Sequence, residues 1–104
     1  MPETNDTPVL DLLADMTASS IEASTLDAET LILVRLAALV AVDAPPASYL
    51  LNLGVAADLD ISADDVRGVL AGVAPIVGTA RTVSALSKIA LALDVELDLV
   101  EATS

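Results

Sequence analysis

Apolar positions recur at helical spacing along most of the chain, and the breaks between these stretches predict an all-α fold of five to six helices. Pro8 opens the first. Val9, Leu12, Leu13 and Met16 fall on one side of it, and Asp11 and Asp15 on the other. From Thr17 to Thr25 serines and threonines lower helix propensity, so a loop with room for one helical turn around Ile21 is expected there.

The next helix has a clear start. Asp27 can cap it, and Leu26 before the cap can pack against Leu31 as a hydrophobic staple. From Leu31 to Val42 nearly every face is apolar, which predicts a central helix buried on all sides. Asp43-Ala44-Pro45-Pro46 stops it. Pro46 suits the first turn of a third helix, reaching about Leu59.

The capping pattern then recurs. Ser62 can cap a fourth helix, Asp64 and Asp65 complement its positive end, and Ile61 and Val66 form the staple. This helix should bury Val66, Val69, Leu70 and Val73, with Pro75 and Gly78 ending it. A fifth, from about Ala80 to Leu93, should bury Val83, Leu86, Ala90 and Leu93 and turn Arg81, Ser84 and Lys88 toward solvent or a partner. Asp94 to Leu99 alternates acid and apolar residues, which fits a strand, an extended segment or a frayed helix end. The expected organisation is a flexible start over 1–7 and a single helical domain over 8–104.

Composition changes this picture in one respect. Hydrophobic residues make up 55% of 104 positions, while Tyr49 is the sole aromatic. A small domain has too little volume to hide so much aliphatic surface, so self-association is expected. Leu31 to Val42 is too short for the roughly 20 residues of a membrane span, and Arg35 interrupts it. No membrane partner is expected.

Charge and missing residue types narrow the chemistry. The net charge is −12 and there is no histidine or cysteine. An acidic chain without a basic patch repels phosphate backbones, so nucleic acid is not expected as a partner. Met1 to Thr7 lacks the pattern of a secretory leader, and a cytoplasmic setting is expected. Without imidazole or thiolate, most proton-relay, thiol and soft-metal chemistry loses its usual carriers. Neither a cofactor nor a metal is expected: Asp58 to Ser62 resembles the start of a calcium loop, but Ala63 and Val69 stand where glycine and a bidentate glutamate belong. The glycines form no phosphate loop, and Gly68 and Gly72, one turn apart, suit close helix packing.

Two polar features remain. Arg35, the one cation within the apolar helix, should meet a carboxylate, carbonyl groups or an anionic ligand, with a structural ion pair favoured. Ser48, Tyr49 and Asn52 have the spacing to share one patch on the third helix. Together with Arg35 they are the candidate ligand-binding residues. As catalysts the three are weak, because Ser48 has no adjacent base and Asn52 does not titrate.

From Leu26 to Leu93 the order of elements resembles the carboxymuconolactone decarboxylase family, which includes the alkylhydroperoxidase-D-like proteins. The resemblance rests on Leu26-Asp27 leading into the helix through Arg35, the break, the polar-centred third helix, the Ile61-Ser62-Ala63-Asp64-Asp65-Val66 start and Gly78. It implies an all-helical homotrimer or homohexamer. It also implies that Pro45 and Ser48 occupy the positions of the family's Cys-x-x-Cys pair, Asn52 that of its histidine and Leu33 that of its glutamate.

The expectation is therefore a degenerate, catalytically inactive member acting as an oligomeric binding or structural module, with a small apolar ligand or a related subunit as further partners. The alternative is an enzyme of non-thiol, decarboxylase-like or hydrolase-like chemistry using Ser48, Tyr49 and Asn52. That requires a substrate-sized cavity beside them.

Overall fold

The computed structural model describes residues 7–103, with side chains described through Leu93. Five helices occur among the described residues: α1 (Thr7–Ala23), α2 (Ala28–Ala41), α3 (Pro46–Asp58), α4 (Ala63–Val77) and α5 (Thr79–Thr103). The flexible start expected over 1–7 lies, apart from Thr7, outside the described residues. Thr7 already belongs to α1.

Both expected caps form. Asp27 Oδ1 accepts from the Thr30 amide at 2.8 Å. Ser62 and Asp65 make a reciprocal capping box, each side chain accepting the other's backbone N–H, at 3.1 and 3.0 Å.

The helix ends follow a rule that composition hides. α2 and α3 both close with an aspartate in the left-handed region, Asp43 at φ 53° and Asp60 at φ 60°. After each, the chain makes the paired backbone bonds of a Schellman motif. Ala44 N–H reaches Leu39 O and Asp43 N–H reaches Val40 O; Ile61 and Asp60 repeat this with Ala56 and Ala57. Glycine is the usual residue at that position because it lacks the Cβ penalty, and a short polar side chain is the tolerated substitute.

Helices α2 to α5 share one core in which Leu36, Val40, Tyr49, Leu53, Leu70 and Ile89 are buried together. In α2 the buried stripe is Ile32, Leu36 and Val40, at successive turns. The helix is central, packing against α3, α4 and α5, but it is not buried on all sides. Val34 is 50% exposed, because three flanking helices leave one side open.

Further expectations are corrected or decided. Thr17 to Ala23 is helix rather than loop: no glycine or proline interrupts the chain between Val9 and Ala44, and each serine or threonine costs only tenths of a kcal/mol against alanine. α4 runs through Pro75 and ends at Gly78, φ +90°. Pro75 and Ala71, the residue four positions earlier whose carbonyl loses its N–H partner, are both exposed, so the break in the helical ladder falls on the outer side of α4.

In α5 the buried stripe is Ala85, Ile89 and Ala92, while Val83 and Leu86 are about half exposed and Ala90 is exposed. Small residues let α5 lie close to α3. The segment after Leu93 is helical, which removes the strand and extended alternatives for 94–99.

That register gives Arg81, Ser84 and Lys88 a role other than facing solvent. Ser84 donates to Asp43 Oδ1 at 2.7 Å, and Lys88 Nζ reaches the same oxygen at 2.9 Å and Ala44 O at 2.7 Å. Arg81 donates to Ala41 O. Cations thus meet the negative end of α2 and tie the α2–α3 corner to α5.

α1 differs from the rest. No Cα of α1 comes within 8 Å of a Cα in another helix, and none of its residues is buried. Gly68 and Gly72 are likewise exposed, with open space beside each, so the close approach they permit is unused among the described residues.

Two predictions follow from the corners. Asp60 has no described side-chain bond, so Asp60→Gly should stabilise the protein by roughly 0.5–1 kcal/mol in urea denaturation by relieving the left-handed penalty. Asp43→Gly should destabilise it, since the clamp is lost with the strain.

The hydrogen bond from Ser84, followed by that from Lys88, holds the Asp43 carboxyl below its ordinary value. A carboxylate depressed in the folded state adds stability that is present above its unfolded pKa, about 3.9, and lost as pH falls through the lower folded value. Ser84→Ala should therefore move the Asp43 titration upward, read by carboxyl-carbon NMR, and weaken the acid-side loss of stability. An unmoved titration would contradict this.

Candidate functional site

On α2 and α3 the core stripe is accompanied by a second one on the neighbouring side of the helix. Beside Ile32, Leu36 and Val40 run Leu31, Arg35 and Leu39; beside Tyr49, Leu53 and Ala56 run Ser48, Asn52, Val55 and Leu59. These second stripes line an open cleft of about 810 Å³. α1 closes part of the far side with Thr17 and Ile21, and the staple residue Leu26 sits at its margin. The volume falls in the range of small-molecule pockets.

The cleft separates the expected polar trio. Ser48 and Asn52 lie on its wall, and Arg35 joins them from α2. Tyr49 does not. Successive residues on a helix turn by about 100°, so when Ser48 and Asn52 face the cleft, Tyr49 points into the core, where it is 0% exposed.

Of the four positions that the expected resemblance set beside catalytic groups, Ser48 and Asn52 line the cleft. Leu33 is half-buried and Pro45 exposed, and neither contributes to the wall.

Arg35 does not form the expected ion pair among the described residues. Its Nη2 donates to Ser20 Oγ at 3.1 Å, which makes it the polar link between α1 and α2. The cost of burying a guanidinium is avoided by partial exposure: Arg35 is half-buried, with the cleft open beside it.

Two buried polar atoms have no hydrogen-bond partner among the described residues, Tyr49 Oη and Asn52 Nδ2. Burial raises the Tyr49 pKa, and the negative charge of Asp43 adds to the effect, so the phenol stays neutral. Asn52 is the more suggestive case because its residue also forms part of the cleft wall.

Chemically the wall offers a guanidinium, two hydroxyls and an amide on an aliphatic surface, with no carboxylate. Nothing there can take a proton from Ser48 at neutral pH. No cluster of three or more metal-ligating carboxylates occurs among the described residues.

The wall residues Thr17 and Ile21, and the Arg35 partner Ser20, lie in the stretch read from sequence as a loop. The unbroken run without glycine or proline was the available signal. Compared with protein-family models, curated proteins and solved structures, the chain gives no match.

An orphan polar group contributes desolvation cost without a bond, so its removal should not harm the fold. Tyr49→Phe and Asn52→Leu should each leave stability unchanged or raise it by up to about 1 kcal/mol in chemical denaturation. A loss beyond that size in either variant would mean that the group is satisfied.

Proposed function

We propose that this chain is a self-associating, non-catalytic helical module that works as a binding or structural unit. The observation that carries this reading is the state of α1. Val9, Leu12, Leu13 and Met16 form an apolar stripe, each between 50% and 59% exposed, on a helix with no buried residue and no close backbone approach to another helix. An amphipathic helix gains little from propensity alone and draws its stability from burying such a face. A neighbouring subunit supplies that burial, and Ile76 and Val42, 87% and 71% exposed, enlarge the surface available for it.

The family reading belongs to this proposal: a carboxymuconolactone decarboxylase-like frame with its catalytic groups replaced at Leu33, Pro45, Ser48 and Asn52, assembled as a homotrimer or homohexamer. It is supported by the order of elements over 26–93 and by the all-helical fold. An acidic cytoplasmic protein, self-associated or joined to a related subunit, is the corresponding setting.

One observation favours a second reading. The cleft beside Ser48 and Asn52 has the size that a substrate pocket needs, as an altered decarboxylase-like or hydrolase-like enzyme would require. The absence of a base on the described wall weighs against it.

Sedimentation analysis at matched concentrations tests the primary reading. The native chain should sediment as an oligomer, while Leu12→Glu combined with Met16→Glu should dissociate it with the α2–α5 core still folded. A native monomer, or association indifferent to these changes, would refute it. Turnover by the pure protein, abolished by Ser48→Ala, would establish the second reading instead.

A further inference from the structure

We infer that the cleft between α1, α2 and α3 is a binding site for an aliphatic monocarboxylate, a hydrocarbon chain ending in one carboxylate, with Arg35 as its anchor. The inference concerns the cleft and does not depend on self-association.

Four observations lead to this class. The wall is aliphatic, built of leucine, isoleucine, valine and alanine with few polar groups. The chain's sole aromatic, Tyr49, is in the core, so no ring face is available to stack a nucleobase or a planar heterocycle. A flexible hydrocarbon is the apolar body that suits such a wall.

The cation on the wall has no anionic partner among the described residues. A guanidinium carries five N–H donors, and Arg35 uses one described bond, to the neutral hydroxyl of Ser20. The wall itself holds no carboxylate. A ligand carboxylate supplies what is missing, because it accepts two parallel bonds from a guanidinium, which a serine hydroxyl cannot do.

Charge fixes the number of anionic groups. Against a net charge of −12, each further negative charge on a ligand adds repulsion, and Arg35 is the sole cation on the wall. A monoanion is matched by that cation; a phosphate monoester or dicarboxylate is not.

The probe is decanoate below its micelle-forming concentration, with decan-1-ol as the neutral control, titrated calorimetrically into the full chain at neutral pH. Decanoate should bind tighter than decanol. Arg35→Met keeps the apolar stem and removes the charge, and it should weaken decanoate by roughly ten- to a hundredfold while leaving decanol unchanged. Arg35→Gln, a second neutral variant that keeps a polar side chain, should weaken decanoate to a similar extent and spare decanol, which keeps the test decisive if Arg35→Met does not fold.

The proposal is overturned if decanoate does not bind, if it binds no better than decanol, or if both variants bind it as the native chain does. It is also overturned if decanoate affinity falls as protein concentration rises, because a second copy would then be the occupant of the cleft.

Discussion

The α2–α3 corner is the constraint on which the rest of the arrangement depends. Asp43 sits in a left-handed conformation that closes α2, and its carboxylate accepts from Ser84 and Lys88 on α5, forty-odd residues on. Lys88 also satisfies the Ala44 carbonyl at 2.7 Å. One residue therefore ends a helix, meets a cation at the negative end of that helix and joins distant parts of the chain. An exposed ion pair alone contributes little. Here the pair adds to an obligatory backbone turn, and the corner's direction sets where α3 begins.

That direction decides which side of α3 is core. With Pro46 starting the helix at the corner, Tyr49, Leu53 and Ala56 turn inward, and Ser48 and Asn52 are left on the adjoining face. The same offset operates on α2, where Arg35 lies one position from the buried Leu36. The cleft is the space between these two offset stripes. Its polarity comes from residues just outside the core boundary, and its shape from α1 standing away from the bundle.

The four positions that the expected resemblance sets beside catalytic groups, Leu33, Pro45, Ser48 and Asn52, are treated unequally by the geometry. Ser48 and Asn52 line the cleft; Pro45 serves as the N-cap of α3, and Leu33 is half-buried in the middle of α2, away from the wall. The cleft wall carries one cation and neutral polar groups, with no carboxylate. That pattern suits holding an anion better than transferring a proton, since neither a guanidinium nor an amide titrates near neutrality.

Much of the fold was legible along the chain. Helical periodicity, two capping signals and the Asp-Ala-Pro-Pro break identified α2, α3 and α4 nearly to the residue, because these depend on local steric and hydrogen-bonding preferences. The extension of α1 to Ala23 was less legible, since weak helix formers permit a helix without demanding one. The buried side of α5 was misjudged because small alanines, not the larger Val83 and Leu86, face the core, and side-chain size matters only once a neighbouring helix is in place.

The site divides the same way. Sequence determined that Arg35, Ser48 and Asn52 exist on helices without histidine or cysteine beside them. Tertiary structure decided that these three face one cleft while Tyr49 does not, and that Arg35 meets a serine rather than an acid. Those outcomes rest on helix rotation and on long-range contacts such as Asp43 to Lys88, which no local spacing encodes.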